Sequence, residues 1–154
     1  MLARPRLCYL EIPAVDARQS VAFYEKVFGW NIRHRDSDHP SFDDATGDVS
    51  GAWATGREIS RAPGLLPYIW VDSIDATLAQ VAAQGGVVVE TPYLDSPGGC
   101  WIATFRDPAG NAMGLYQEGD TWMRYKQKSK TGKRPDSEEQ KTLSAAATRA
   151  KHAW

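Results

Sequence analysis

Apolar and polar positions in the first 119 residues follow the same order of patterns twice. An extended apolar stretch, residues 7–12, precedes a segment in which apolar side chains recur at roughly helical spacing, at Val21, Phe23, Tyr24, Val27 and Phe28. The β-rich run "WNIRH" comes next. A second apolar stretch, residues 65–71, precedes a helical pattern at Leu78, Val81 and Ala82 and then the run "VVVET". Each copy therefore predicts a strand, a helix and a strand.

The two copies align with a shift of 57 residues, which places residues 10–32 over residues 67–89. Each predicted helix ends beside a glycine, Gly29 in the first copy and Gly86 in the second. A glycine at this place predicts a left-handed residue that closes the helix. A repeat of this kind is a stronger indication of fold than either copy alone.

The repeat continues with a second pair of segments at a shift of 63. "FDDATGDVSGAWATG" (42–56) aligns with "FRDPAGNAMGLYQEG" (105–119) over fifteen positions without a gap. Phe42 falls on Phe105, Gly51 on Gly114, and Trp53 on Tyr116. Both turns are rich in Asp and Gly, which predicts a β-hairpin. The six extra residues of the second copy are assigned to the loop around "YLDSPGG".

Each copy is thus predicted to be a βαβββ module, at about residues 6–58 and 64–119. A four-stranded sheet with one helix leaves an apolar face uncovered. We therefore predict an α+β domain over residues 1–119, in which two tandem modules pair into a partly closed, barrel-like sheet around a central cleft.

Composition agrees with a globular domain. The chain has 154 residues, of which 42% are hydrophobic and 24% charged. No run of 18 apolar residues and no signal-peptide pattern is visible. Two cysteines, Cys8 and Cys100, are interpreted as buried thiols in a reducing compartment, so a cytoplasmic location without membrane contact is expected.

Charge is distributed unevenly along the chain. Residues 1–119 contain nine Lys/Arg and fifteen Asp/Glu, whereas residues 120–154 contain nine Lys/Arg and four Asp/Glu. The segment 120–154 is predicted to be a basic, largely disordered tail with a short helix over 137–151. A contact with an anionic partner is one interpretation. A solvated appendage is favoured, because no aromatic residues are interleaved through the basic run.

Two motifs resemble those of the vicinal oxygen chelate superfamily, which includes glyoxalase I, bleomycin-resistance proteins and extradiol dioxygenases. They are "VDARQSVAFYEKVFGW" and "FRDPAGNAMGLYQ". The resemblance covers roughly residues 6–118 and agrees with the paired-module fold. It also implies a homodimer. It says less about chemistry, because one fold carries many activities.

The resemblance implies a divalent metal held by a His on the first strand and a Glu on the last strand of each module. The matching positions here are Tyr9 and Gly51 in the first module, and Leu66 and Gly114 in the second. Leucine and glycine side chains cannot ligate, and tyrosine is a rare ligand. No metal and no other cofactor are therefore expected.

Strand alternation predicts which side chains face the cleft. The predicted ligand-binding set is largely aromatic, and it consists of Tyr9, Glu11, Trp53, Leu66, Tyr68, Trp70, Trp101 and Tyr116. These side chains either line a pocket for a flat or apolar molecule or fill the cleft as an ordinary core.

Glu11 is the one carboxylate in this set and is the candidate catalytic residue. A carboxylate buried among apolar groups could act as an acid or a base. The alternative is a salt bridge to an arginine such as Arg106.

Three functions remain open on the sequence. The favoured one is a metal-independent protein that binds an apolar or aromatic small molecule in the cleft between the modules. The alternatives are a metal-dependent lyase or dioxygenase of the same superfamily, and a metal-free enzyme that uses Glu11 with Tyr68 or Tyr9 in proton transfer.

Overall fold

The structure is a computed structural model that describes residues 5–119. It contains eight strands and two helices in the order predicted by the repeat. They are β1 (Tyr9–Ala14), α1 (Ala17–Phe28), β2 (Asn31–Arg33), β3 (Ser41–Asp43), β4 (Ser50–Thr55), β5 (Tyr68–Trp70), α2 (Ile74–Ala83), β6 (Val87–Leu94), β7 (Trp101–Arg106) and β8 (Ala112–Gln117).

The strands form two four-stranded mixed sheets with the same topology. The orders are β1-β4-β3-β2 and β5-β8-β7-β6. In each sheet the first strand of the module pairs in parallel with the last one, and the other pairs are antiparallel. The α+β fold with two βαβββ modules is thus confirmed. Strand pairing does not pass from one sheet to the other within residues 5–119, so the sheets do not close into a barrel.

Both helices begin at a side-chain cap. The Asp16 carboxylate accepts hydrogen bonds from the amides of Arg18 and Gln19 at 2.9 and 3.4 Å. The Ser73 hydroxyl accepts from the Ala76 amide at 3.3 Å and caps α2. These bonds satisfy amide groups that have no partner in the first turn of a helix.

The structure confirms the glycine predicted to close the first helix and corrects the one predicted to close the second. Gly29 has a φ of 66° and donates its amide to the Glu25 carbonyl, as predicted. In the second module the left-handed residue is Gly85, with a φ of 90°. The prediction for Gly86 was wrong. Gly86 is required for close packing instead, since a Cβ atom there would lie 2.7 Å from a Val81 methyl group and 2.9 Å from the Arg106 carbonyl oxygen.

One apolar core joins the two modules. Aromatic side chains of α1 lie between the sheets' helix-covered faces, with Tyr24 against Trp53 of β4 and Phe23 against Phe105 of β7. The ring centroids are 5.8 and 6.0 Å apart, within the range of favourable aromatic pairs. Because α1 contacts both sheets, neither module completes its core alone.

The turn of the second hairpin, residues 107–111, fastens this core at its edge. The Tyr24 hydroxyl donates to the Asp107 carboxylate at 2.9 Å. The Asn111 side chain donates to the Pro13 carbonyl at 2.6 Å and accepts from the Ser60 amide at 2.9 Å. Burial, followed by the charge and hydrogen bond of Asp107, raises the pKa of Tyr24 well above its usual value, so Tyr24 remains a donor at neutral pH.

Three further sequence predictions concern the basic tail, the two cysteines and the absence of a membrane span. The basic tail 120–154, with its helix over 137–151, lies outside the described residues. Cys8 is exposed and Cys100 is half-buried, and both are free thiols, so the prediction of two buried thiols was wrong for Cys8. Among residues 5–119, no helix is long and apolar enough to cross a membrane.

Candidate functional site

Each sheet has one face covered by helices and one face turned away from them, which we call the open face. Cross-strand pairs share a face, so the register assigns side chains to faces. In the first sheet Glu11 pairs with Ala52 on the open face, while Ile12 pairs with the buried Trp53. In the second sheet the open face carries two aligned pairs, Tyr68 with Gly114 and Trp70 with Tyr116.

The two hairpins differ in length by one residue, and this difference changes the alignment of β4 with β8. The Asp44 amide bonds to the Val49 carbonyl, whereas the equivalent Asp107 amide bonds to the Asn111 carbonyl. The first loop is therefore one residue longer. Phe42 consequently pairs with Gly51, but Phe105 pairs with Met113. The structural equivalent of Gly114 is Ala52, and Gly51 lies on the helix-covered face.

The two glycines make room for neighbouring aromatic rings. A Cβ atom on Gly51 would lie 2.3 Å from the Phe42 ring and 2.2 Å from the Leu10 carbonyl oxygen. A Cβ atom on Gly114 would lie 2.4 Å from the Tyr68 ring. Protein atoms therefore occupy the space beside both glycines. The Tyr68 ring thus covers β8 and forms part of the open face.

Two neighbouring cavities lie beside this face. One, of about 450 Å³, is lined by Glu11 and Pro13 of β1, Leu66 of the linker and Met113 of β8. The other, of about 580 Å³, extends from Leu66 past Tyr68 to β6 and β7. The structure therefore brings Glu11 and Leu66 of the predicted set to the first cavity, and Leu66 and Tyr68 to the second.

Glu11 is not the buried, unpaired carboxylate that the sequence suggested. Its side chain is 46% exposed and forms an ion pair with Arg57, from the segment after β4. An arginine partner was the stated alternative, although the example named was Arg106. Because Glu11 is solvated and paired, the structure gives no independent support for an acid or base role.

Five members of the predicted set line neither of these cavities. Two of them, Trp70 and Tyr116, lie on the open face, and the other three are Trp53, Trp101 and Tyr9. Trp53 is 1% exposed and packs against Tyr24 and Phe42 in the core. Trp101 pairs with Gln117 on the helix-covered side of the second sheet, opposite Tyr116. Tyr9 shares the open face with Glu11 but is half-exposed and lines neither cavity.

The tyrosines of the second sheet are neutral hydrogen-bonding groups at physiological pH. Partial burial, and then Tyr93 and Glu90, raise the pKa of Tyr68 above its usual value. Burial, and then the hydrogen bond with Cys100, raise the pKa of Tyr116 strongly. The Cys100 Sγ atom lies 2.8 Å from the Tyr116 hydroxyl. Tyr68 and Tyr116 can therefore donate hydrogen bonds as well as apolar ring surface.

A family model named Glyoxalase/Bleomycin resistance protein/Dioxygenase superfamily matches residues 6–115, which span both modules. The chain belongs to this superfamily. The resemblance that the two motifs suggested is thus confirmed.

Individual relatives are distant. A Mycobacterium bovis protein named "Putative glyoxylase CFP32" is 28% identical over 121 residues, covering 71% of this chain and 44% of that protein, so the chain spans less than half of its relative's length. The solved structure of TnmS3, an antibiotic binding protein from Streptomyces sp. CB03234, has a TM-score of 0.59 at 22% identity, covering 77% of this chain and all of the other. The fosfomycin resistance protein FosX from Listeria monocytogenes has a TM-score of 0.61 at 15% identity, covering 78% and 97%.

The metal site that the superfamily implies does not match this chain's side chains. With the corrected register, the last-strand positions are Ala52 and Gly114, and the first-strand positions are Tyr9 and Leu66. The Tyr68 ring fills the place of a side chain at Gly114. Within residues 5–119 no three His, Cys, Asp or Glu side chains are grouped so that they could hold a metal ion. No chemical step through a metal can be derived from these residues.

The polar part of the second cavity was not predicted from the sequence. Arg61, Glu90, Thr104 and Arg106 line it together with Tyr68, and the Thr104 hydroxyl donates to the Glu90 carboxylate at 3.0 Å. Alternation along β7 could have placed Thr104 and Arg106 on the face of Gly114. No local pattern could have placed Arg61, because it lies in the linker between the modules.

Proposed function

We propose that this member of the superfamily is a metal-independent small-molecule-binding protein whose ligand has a flat or apolar body. The observation that carries the proposal is the open face of the second sheet. Tyr68 and Trp70 lie on the same face there and are 37% and 54% exposed, and a contiguous exposed apolar patch often marks a binding site. Ligand pockets are typically lined by aromatic side chains with a few polar groups.

The side chains at the metal-binding positions support metal independence. Ala52, Leu66 and Gly114 carry no ligating atoms, and a ring occupies the space at Gly114. The printed names of TnmS3 and FosX associate the same fold with antibiotic binding and with resistance. These names fit the proposal without identifying a ligand for this chain.

The test uses a neutral flat probe, 2-naphthamide, titrated by isothermal calorimetry against two tryptophan variants. Trp70 lies on the open face and Trp101 on the opposite face of the same sheet, so Trp101→Ala is a matched control for Trp70→Ala. We expect W70A to weaken binding roughly tenfold, as the loss of one aromatic contact predicts, and W101A to leave the dissociation constant within about twofold.

Metal independence is tested on the same titration. Dialysis against EDTA should leave the affinity for 2-naphthamide unchanged. Loss of binding after dialysis, with recovery on addition of zinc or manganese, would contradict the metal-independent part of the proposal. If neither 2-naphthamide nor other neutral flat ring systems bind, or if W70A and W101A weaken binding equally, the open face is not the ligand site.

A further inference from the structure

The larger of the two cavities beside the open face, of about 580 Å³, is lined by Arg61 and Arg106, whose guanidinium groups both lie near Gly110. A Cβ atom on Gly110 would lie 3.0 Å from an Arg61 Nη1 atom, and the Arg106 Nη1 atom donates to the Gly110 carbonyl oxygen at 3.4 Å. The two side chains come from distant parts of the chain, the linker and the end of β7. We call this space the arginine cavity.

Neither guanidinium has a carboxylate partner in the part of the chain that the structure describes. Four other arginines there, at 6, 33, 35 and 57, each form an ion pair with an Asp or Glu. Glu90 also lines the arginine cavity, but it accepts from Thr104 and forms no ion pair with either arginine. Two guanidinium groups that lie near the same residue, neither of them in an ion pair with a carboxylate, favour an anion between them.

Apart from the two arginines, Glu90 and Thr104, the side chains that line the arginine cavity are largely apolar. The apolar part consists of Leu65, Leu66, Val89 and Ala112, and the Tyr68 ring lies where the cavity meets the open face. A ligand that fills it therefore needs an acidic group at one end and an apolar body at the other. Guanidinium groups bind carboxylate, phosphonate and phosphate groups with two parallel hydrogen bonds, which fixes orientation as well as charge.

We infer that the arginine cavity recognises the acidic group of an organic anion whose apolar or aromatic body lies on Tyr68 and the neighbouring leucines. This inference rests on the proposed function, because it names the ligand chemistry of the same open face. It assigns to Arg61 and Arg106 the binding of the anion, and to Tyr68 and Leu66 the binding of the body. Neither arginine is needed for a purely apolar ligand.

The experiment compares matched acid and amide probes, 2-naphthoate and 2-naphthamide, by isothermal calorimetry at low salt. The two molecules share a ring system and differ in charge. We expect the wild-type protein to bind 2-naphthoate about tenfold more tightly, which is the effect of one charge-assisted contact. Added sodium chloride should reduce this preference, because it screens a partly exposed charge.

Variants of the two arginines then test which side chain causes the preference for 2-naphthoate over 2-naphthamide. Arg61→Gln should remove most of the preference for 2-naphthoate and leave 2-naphthamide binding unchanged, and Arg61→Lys should retain part of it. Arg106→Lys tests the second arginine with its charge kept. The control is Arg18→Gln, since Arg18 is exposed on α1 and forms no ion pair among the described residues. Circular dichroism confirms that each variant is folded.

The outcomes separate this inference from the proposed function. If 2-naphthamide binds as tightly as 2-naphthoate, or if R61Q weakens both probes equally, anion recognition is overturned while the proposed function stands. If inorganic phosphate alone binds as tightly as 2-naphthoate, the organic-anion part is overturned. If neither naphthalene probe nor other flat acids and amides bind, both proposals fail together.

Discussion

The repeated glycines, Gly51 and Gly114, show how one residue of loop length decides the role of a side chain. They align in sequence, yet Gly51 faces the core beneath α1 and Gly114 faces the open side of the second sheet. Because the turn of the first hairpin is one residue longer, the pairing of β4 with β3 is shifted by one residue relative to the pairing of β8 with β7. In a strand, a shift of one residue moves every side chain to the other face.

Alanine at these two positions should have unequal effects on stability. A Cβ atom at Gly51 meets the Leu10 carbonyl oxygen and the buried Phe42 ring, and neither can move without opening the first sheet. We expect Gly51→Ala to lower the free energy of unfolding by about 3 kcal/mol or more. The atoms nearest to a Cβ on Gly114 belong to the Tyr68 ring, which is part-exposed and can rotate, so a loss of about 1 kcal/mol is expected for Gly114→Ala.

Urea denaturation of the two variants measures this difference. Equal losses of stability would contradict the assignment of Gly51 to the core. G114A should in addition alter 2-naphthamide binding, because it displaces the Tyr68 ring on the open face, whereas a stably folded G51A protein should bind the probe as the wild type does.

The residues of the site were only partly predictable, again because of the one-residue difference between the two hairpin turns. Strand alternation correctly placed Tyr68, Trp70 and Tyr116 on one face of the second sheet, because β5 pairs with β8 so that Tyr68 lies beside Gly114 and Trp70 beside Tyr116. Alternation placed Trp53 on the wrong face, because a gapless alignment of the two hairpins does not reveal that the first turn is one residue longer than the second. Trp101 was also assigned to the cleft, but the pairing of β7 with β8 places it with Gln117 on the other face.

At the scale of elements, the two hairpin turns have diverged in their structural importance. In the second module Asn111 is 2% exposed and bonds to Pro13 and Ser60, so the turn joins both modules and the linker. The aligned residue in the first module is Asp48. Among residues 5–119 it forms an ion pair with Arg6, and both side chains are about 70% exposed.

Substitution of the two aligned residues should therefore have different consequences. Asn111→Ala removes three side-chain hydrogen bonds and leaves the Pro13 carbonyl and the Ser60 amide without these partners. We expect a loss of about 2–3 kcal/mol in the free energy of unfolding. Asp48→Ala removes a solvated ion pair and should change that free energy by less than about 0.5 kcal/mol. Chemical denaturation of both proteins checks the comparison, and a similar loss in D48A would show that the turns are equivalent.

The elements themselves were largely predictable, because periodicity depends on burial and burial is encoded locally. The order βαβββ in each module follows from apolar spacing and from turn residues. The end of α2 was misjudged because Gly85 and Gly86 are adjacent and only the fold decides which one takes a positive φ. The sequence also did not show that the two sheets stay separate and do not close into a barrel, since this depends on how two finished modules pack.

At the scale of the whole molecule, apolar side chains remain uncovered where the modules meet. Leu65 of the linker is 90% exposed and Leu7, before β1, is 68% exposed, and both line the cavity beside Glu11. Tyr9 and Trp70 add two half-exposed rings on the open faces. An exposed patch of this kind on a soluble protein usually marks an interaction surface.

We propose that a second copy of the chain covers part of this patch, as expected from the homodimer that the superfamily resemblance implies. Multi-angle light scattering should then give a mass twice the 17.0 kDa of one chain. The double variant Leu7→Gln, Leu65→Gln should shift the protein towards the monomer, because both side chains are already exposed and their replacement leaves the core intact. Val15→Gln is the matched control, since Val15 is 70% exposed but lines neither cavity. A monomer at all concentrations, or equal dissociation by the control, would contradict the assignment of the exposed leucines to a dimer interface.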